Sequence, residues 1–454
     1  MSWDKLASKS LGSKPLIVAE IGGNHGGDLS KAKLLCQAAK KAGADAVKFQ
    51  GYQTNLFLHP STPYYAELAA EELSFNQLND LIHLAQDLGL MAGLTVFGPE
   101  GFDLAISAQV DYLKISSGDL NHHGLIRLAA GAPFPLVIST GASFAAEVAR
   151  TLALIPSNHL NPSNPSNPLN PNNHLNPSNP RNPRNPNNHL NPSNPSNPLN
   201  PNNPNNPNNL LNPNNPNNPL NPNNPSNPLN PCNPVNTLNP SNPLNPSNPN
   251  NPLTTLNPLT TLSPIVLQCS ALYPAPLDAL NLAVLGQWLE RGLNAGFSDH
   301  GLTIDPSFAA LTIGAVMVEK HFTLDRAWPG GDNFMSAEPE DLRVLAAKAV
   351  KAPAPNDRAN CLAALKETNP PYWGDPHKKP LPGENPALIR RWAIAARDLT
   401  KGQELRPNDV VFQRTALPPT PLLGPEEPFP LVRVTKDLAK GTPVAWLDLD
   451  LIRR

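Results

Sequence analysis

The sequence predicts an α/β fold, a (β/α)8 TIM barrel followed by a small C-terminal β-rich unit, and three observations predict it. Short apolar runs alternate with stretches of helical period eight times along the chain. Ionisable and hydroxyl residues gather at or just past the ends of those runs, where a parallel barrel carries its chemistry. The one long interruption, residues 156–264, has a composition that supports neither strand nor helix.

In order, Leu16 to Gly22 reads as a strand and Leu29 to Ala42 as a helix closed by Gly43. Ala46 to Gln50 is the second strand. After a loop rich in Pro and Tyr, Asn76 to Leu88 is a helix stopped by Gly89. Met91 to Phe97 and Tyr112 to Gly118 are strands three and four, each followed by a helix-like stretch. Pro135 to Gly141 and Phe144 to Leu154 make the fifth pair. Ile265 to Ala271, Asn294 to His300 and Met317 to Thr323 are the last three strands, separated by helices at Leu280 to Arg291 and Pro306 to Ile313. Leu342 to Val350 is the eighth helix, so the barrel occupies residues 1–155 and 265–350.

The chain holds 57 prolines, about half of them between Pro156 and Pro264. That tract repeats Asn-Pro-x with period three, and Leu160, Leu175 and Leu190 mark a longer period of 15. Turns and polyproline-like segments without a packed core are expected, with a regular solenoid as the alternative. Lengthening one barrel loop this far costs roughly 3 kcal/mol of closure entropy, which a domain stable by about 5 to 15 kcal/mol tolerates. Residues 351–388, rich in Pro and polar residues, read as a linker, and 389–454 as a compact unit of short strands. Within that unit, the stretch from Arg397 to Gly402 resembles the stretch from Lys436 to Gly441, which suggests internal pseudo-symmetry.

Over 454 residues, 34 Lys and Arg nearly balance 36 Asp and Glu, and a net charge of -2 gives no reason to expect a nucleic-acid or membrane partner. The four cysteines are far apart and lack C-x-x-C spacing, so reduced thiols in a cytoplasmic protein are the expectation. The polar start, with no long apolar run, predicts a soluble chain without a cleaved signal.

Phe297-Ser298-Asp299-His300 and Val318-Glu319-Lys320-His321-Phe322 set two histidines at the ends of neighbouring apolar runs. In parallel strands both imidazoles finish at one rim and can hold one metal ion. The alternative is two ordinary strand-end histidines, each making one hydrogen bond. Lys48 and Lys114, taken singly, would be solvated rim charges; as a strand-end pair they suit an anionic substrate.

Seven motifs then agree in order: Ala19-Glu-Ile-Gly-Gly-Asn-His-Gly-Gly-Asp28, Ala46-Val-Lys-Phe-Gln50, Lys114-Ile-Ser-Ser-Gly118, Ser139-Thr-Gly141, Leu267-Gln-Cys-Ser-Ala-Leu-Tyr-Pro274 and the two histidine motifs. Together they closely resemble the sialic acid synthase family over nearly the whole chain except the repeat tract. The C-terminal unit resembles that family's antifreeze-like (SAF) domain. The resemblance implies condensation of phosphoenolpyruvate with N-acetylmannosamine or its 6-phosphate, giving N-acetylneuraminate or its 9-phosphate and phosphate. It implies that His300 and His321 bind a divalent metal, Mn2+, Mg2+ or Co2+, and that Glu20, Lys48 and Lys114 are catalytic. Thr95, Ser117 and Ser139 match positions that hold phosphoenolpyruvate with the two lysines. Gln50, Asp119, Tyr273 and Asp332 match positions that contact the amino sugar, and Ser298 joins the substrate-binding set. Asn24 and His25 belong to the opening signature, with loop capping as their alternative role. Arg414 aligns with an SAF-domain arginine that reaches a partner subunit's barrel, which implies a domain-swapped homodimer. The chain departs from common bacterial forms at Gln268 and Ala271. Two other readings stand beside this one: a synthase for another nonulosonic acid (legionaminic, pseudaminic) or a spore-coat-type polysaccharide, and a catalytically decayed interaction protein.

Overall fold

The structure is a computed structural model that describes residues 14–155, 264–349, 355–416, 422–425 and 429–452. The readings of the repeat tract therefore lie outside the described residues, except for Pro264. Apart from 131–133, the described residues belong to one compact unit. Strands β1 (Leu16–Glu20), β2 (Ala46–Gly51), β3 (Met91–Val96), β4 (Tyr112–Ile115), β5 (Leu136–Ser139), β6 (Ile265–Gln268), β7 (Ala295–Asp299) and β8 (Met317–His321) close a barrel in sequence order. All eight pairings are parallel. Most strands stop one to three residues before the end of the apolar run that predicted them, because the chain leaves the ladder to turn over the rim. Ser117 and Gly118, read as the end of the fourth strand, belong with Asp119 to a single 3-10 turn.

Helices α1 (Leu29–Lys41), α2 (Thr54–Phe57), α3 (Tyr65–Glu71), α4 (Phe75–Asp87), α5 (Pro99–Ser107), α6 (His123–Ala130), α7 (Ala145–Ala153), α8 (Leu282–Glu290), α9 (Asp305–Thr312) and α10 (Pro339–Lys348) accompany the strands. Local chemistry sets their starts. The Asp28 carboxylate accepts from the Ser30 and Lys31 amides, and Ser74 with Gln77 forms a capping box. The short α2 and α3 fall where the sequence suggested only loop.

Side chains alternate across each strand, so every second residue enters the barrel. The lower interior is filled by Leu16, Val18, Ala46, Met91, Tyr112, Val137, Ile265, Leu267 and Met317. Gly93 has no side chain because the Tyr112 ring occupies its place: a Cβ there would lie 2.1 Å from the ring. Above this plug the same inward positions turn polar, at Glu20, Lys48, Lys114, Ser139, Ser298, Glu319 and His321. Each of these is at most 6% exposed.

The stretch read as a linker contains helix α11 (Pro355–Thr368), followed by a strap fastened to the barrel. Trp373 is buried against Gly286 of α8, and the Leu282 and Ala283 amides donate to the Tyr372 and Trp373 carbonyls at 2.9 and 2.7 Å. Lys378 donates to Gln268 at 3.0 Å. The Glu384 carboxylate accepts from the amides of Ala142, Ala271 and Leu381. Long-range anchors of this kind, whether made by backbone or by side chain, carry no local period, so proline content alone misread them. After the short α12 (Pro386–Ile389), the C-terminal unit pairs β9 (Trp392–Ala395) with β10 (Val410–Gln413) and β11 (Val432–Val434) with β12 (Leu449–Leu451). Its pseudo-symmetry is physical. Leu399 and Leu438 exchange both backbone hydrogen bonds, while the Lys401 amide donates to Asp437 and the Lys440 amide to Asp398, each at 2.7 Å.

No helix among the described residues is long and apolar enough to cross a membrane.

Candidate active site

A cavity of about 540 Å³ opens at the C-terminal ends of the strands. Glu20, Lys48, Gln50, Thr95, Lys114, Ser117, Ser139, Tyr273, His300, His321, Asp332 and Arg414 all line it, as the sequence placed them. Strand register explains the grouping: Glu20 sits opposite both Lys48 and His321, and Thr95 opposite Lys114.

The charges are paired inside the wall. Glu20 ion-pairs with Lys48, whose ammonium also donates to Thr95 at 2.7 Å. Lys114 ion-pairs with Glu319, which accepts a further bond from Ser298 at 3.0 Å. Burial pushes the Lys48 ammonium down to about 7, against the pull of Glu319. Burial pushes the Glu319 carboxyl up, but Lys114 and Lys48 outweigh it and hold it below the usual range. Glu319 was missed in the motif reading, although its position two residues before His321 on a strand places it on the same inward face. Glu67 and Glu71 of α3 also line the cavity, and no periodic signal marked them.

His300 and His321 meet with ring centres 5.5 Å apart. The His300 Nδ1–H donates to the Ser270 carbonyl at 2.5 Å, which leaves Nε2 as the acceptor, 3.2 Å from the Tyr273 hydroxyl and 3.4 Å from Ser298. The Tyr273 ring stacks on His300 at 4.2 Å. Burial pushes His300 down to about 4 and takes His321 well below its usual range, with His300 and the lysines adding to the second shift. Both rings are therefore neutral and keep a lone pair. His321 Nδ1 is buried without a hydrogen-bond partner, 3.4 Å from an Asp332 oxygen. A neutral pair with an orphaned nitrogen fits a divalent ion at an ordinary metal–imidazole length of about 2.1 Å. Among the described residues no group of three or more His, Cys, Asp or Glu could hold one. Among the described residues the pair would thus be the contribution to such a site, with the other positions left to substrate and water.

Two assigned residues stand behind the cavity wall instead of in it. Asp119 is fully buried, accepts from Ser116 at 2.7 Å and ion-pairs with Arg391 at 2.5 Å. Burial would raise its pKa, but Arg391 and Arg414 hold the carboxyl below the usual range. Its carboxylate ties Arg391, just after α12, to the turn that follows β4. Ser298 likewise does not line the cavity and serves by bonding Glu319. Asn24 caps the rim loop: its amide donates to Phe322 and Ser336 and accepts from the Asp332 amide at 2.8 Å. His25, pushed down to about 4 by burial, accepts from the Gly27 amide, so it too is a loop cap. Arg414 reaches the cavity of its own chain. Its backbone pairs with Phe57 and His59, and its guanidinium lies 4.5 Å from the Phe57 ring centre.

A closed barrel whose polar mouth joins two buried lysines to two imidazoles is the framework of a condensing synthase. The model of the NeuB family matches residues 35–165 and 251–355, more than half of the chain. This chain belongs to the NeuB family. It is 26% identical to the N,N'-diacetyllegionaminic acid synthase of Legionella pneumophila, over 95% of this chain and 93% of that one. It is 23% identical to the human N-acetylneuraminate-9-phosphate synthase, over 72% and 67%. Among solved structures, the spore coat polysaccharide biosynthesis protein spsE of Bacillus subtilis shares the fold, with a TM-score of 0.59 at 21% identity over 97% of this chain and 96% of that one.

Proposed function

We propose that this protein condenses phosphoenolpyruvate with an N-acetylated amino sugar to give a nine-carbon 2-keto sugar acid and phosphate. The observation that carries the reading is the meeting, in one cavity, of the Lys48 and Lys114 ammonium groups with the His300 and His321 rings. Phosphoenolpyruvate brings a phosphate and a carboxylate, and two fixed ammonium groups, with the hydroxyls of Thr95, Ser117 and Ser139, suit both. In the reaction the methylene carbon of the enol phosphate bonds to the aldehyde carbon of the open sugar, water is consumed and phosphate leaves. Glu20 is buried beside Gln50 at the mouth and is placed to take a proton from that water or from a sugar hydroxyl. A divalent ion such as Mn2+, Mg2+ or Co2+, held by His300 and His321, would supply polarisation of the aldehyde oxygen.

Two sugars head the panel: N-acetylmannosamine, and a diacetamido hexose, which the Legionella relative favours through its near full-length match. Purified protein, phosphoenolpyruvate, a divalent metal and each sugar are mixed, and phosphate release and product mass are recorded. The expected result is phosphate in step with a nonulosonic acid, lost on chelation and in His300→Ala while the fold is kept. No turnover with any N-acetylated amino sugar, free or phosphorylated, contradicts the reading.

A further inference from the structure

We propose that Arg390 is a positioning residue for the phosphoenolpyruvate end of the cavity, holding the rim turns after β4 and β5 in the geometry that presents the Ser117 and Ser139 hydroxyls. The proposal rests on the condensation reading above and adds to it a residue that does not itself line the cavity. Arg390 follows α12 at the end of the strap and is 2% exposed. Its guanidinium spans both turns. One terminal nitrogen donates to the Ser117 carbonyl. The other donates to the Ala142 carbonyl at 3.2 Å and the Ser143 hydroxyl at 3.1 Å, and faces Glu147 at 3.3 Å. A guanidinium suits that task because its donors are fixed relative to one another.

The turn after β5 needs holding. Ala142 has a φ of +48°, a left-handed conformation in which its Cβ crowds the backbone, and an unrestrained alanine would relax out of it. Both backbone polar groups of Ala142 are gripped from the strap: the amide donates to Glu384 at 3.1 Å and the carbonyl accepts from Arg390. Its neighbour Gly141 is tied in turn, with its amide donating to the Ser117 hydroxyl oxygen at 2.9 Å and its carbonyl accepting from the Ser143 hydroxyl at 3.0 Å. A relaxed Ala142 therefore shifts Gly141, and with it Ser117 and the end of β5 at Ser139. Gln50, His300, His321 and Asp332 belong to other strand ends and loops, so the change should fall on phosphoenolpyruvate more than on the sugar.

Isothermal titration of the full chain with phosphoenolpyruvate alone gives its dissociation constant, and steady-state rates give KM for the sugar. Arg390→Met should weaken phosphoenolpyruvate binding about tenfold or more, while KM for the sugar moves by less than about threefold. Arg390→Lys keeps a charge facing Glu147 but loses the fork, and should show the same pattern if Arg390→Met does not fold. Arg358→Met is the control: it removes a donor to the Leu289 carbonyl at the far end of α8, and should lower the melting temperature without changing the dissociation constant. Glycine takes the left-handed conformation without strain. Adding Ala142→Gly to Arg390→Met should therefore recover most of the lost affinity, which it would not do if the loss came from a general loosening of the fold. Wild-type affinity in both Arg390 variants, equal weakening of both substrates, or no recovery with Ala142→Gly overturns the proposal while the condensation reading stands. A wild type that binds no phosphoenolpyruvate overturns both.

Discussion

Lys114 and Glu319 show how a functional charge is made tolerable inside a barrel. Each would be costly alone below the rim, and their ion pair offsets the desolvation of both. Lys114→Met leaves the Glu319 carboxylate buried without its cation. The expected cost is about 3 to 5 kcal/mol in chemical denaturation, and adding Glu319→Gln should recover most of it without restoring turnover. Recovery of turnover in the double variant would show that Lys114 has only a structural role. His25 offers a second residue-level test. Its folded pKa of about 4 lies below the ordinary 6.5, so the unfolded chain takes up a proton first and stability is lost as pH falls from 6.5 towards 4. Between pH 7 and pH 5 the urea stability of the wild type should fall by about 2 kcal/mol more than that of His25→Asn; equal falls would contradict the buried, neutral ring. Glu20, Thr95, Lys114, Ser139, His300 and His321 were legible in the sequence because each lies at or next to a strand end, where motif and period coincide. Asp119 lies in the 3-10 turn after β4 and stands behind the cavity wall with Arg391, and Glu67 and Glu71 were invisible because their helix follows no strand end.

At the scale of elements, the alternation of each strand carries the division between an apolar plug and a polar mouth. Gly93 marks where the two strands' interiors compete for one volume. Gly93→Ala should cost about 1 to 3 kcal/mol by overpacking the Tyr112 ring, measured as a shift in denaturation midpoint, and combining it with Tyr112→Leu should cost less than the sum of the two. An additive pair would place the ring elsewhere. The strap after α11 is the element the sequence concealed. Glu384 alone satisfies three amides on the β5 and β6 rims and within the strap. Its removal in Glu384→Ala is expected to destabilise by about 2 kcal/mol or more and to raise KM for phosphoenolpyruvate, because the Ser139–Ala142 turn and Ala271 lose a common anchor. An unchanged melting temperature would contradict that role. Such anchors escape sequence reading because a carboxylate meeting distant amides leaves no local pattern.

Across the whole molecule, chemistry and tolerance sit at opposite ends of the strands. The described chain stops at Ile155, just after α7, and resumes at Pro264, just before β6, both at the strand ends opposite the cavity mouth, and barrel function is concentrated at the other rim. Deleting residues 157–263 and joining the ends with a short flexible linker should leave turnover within a few-fold of the full chain; loss of turnover with the fold intact would assign the tract a part in the chemistry. The order of the eight strands, the closure of the barrel and the convergence of two lysines with two imidazoles remain the basis for reading this chain as a condensing synthase. The most direct measurement follows phosphoenolpyruvate labelled with 13C at its methylene carbon by NMR, with metal and an N-acetylated aldose present. The label should move from a vinyl signal to a saturated methylene flanked by two carbons, and only when the sugar is added; its appearance as the methyl group of pyruvate, or no change at all, would contradict carbon–carbon bond formation in this cavity.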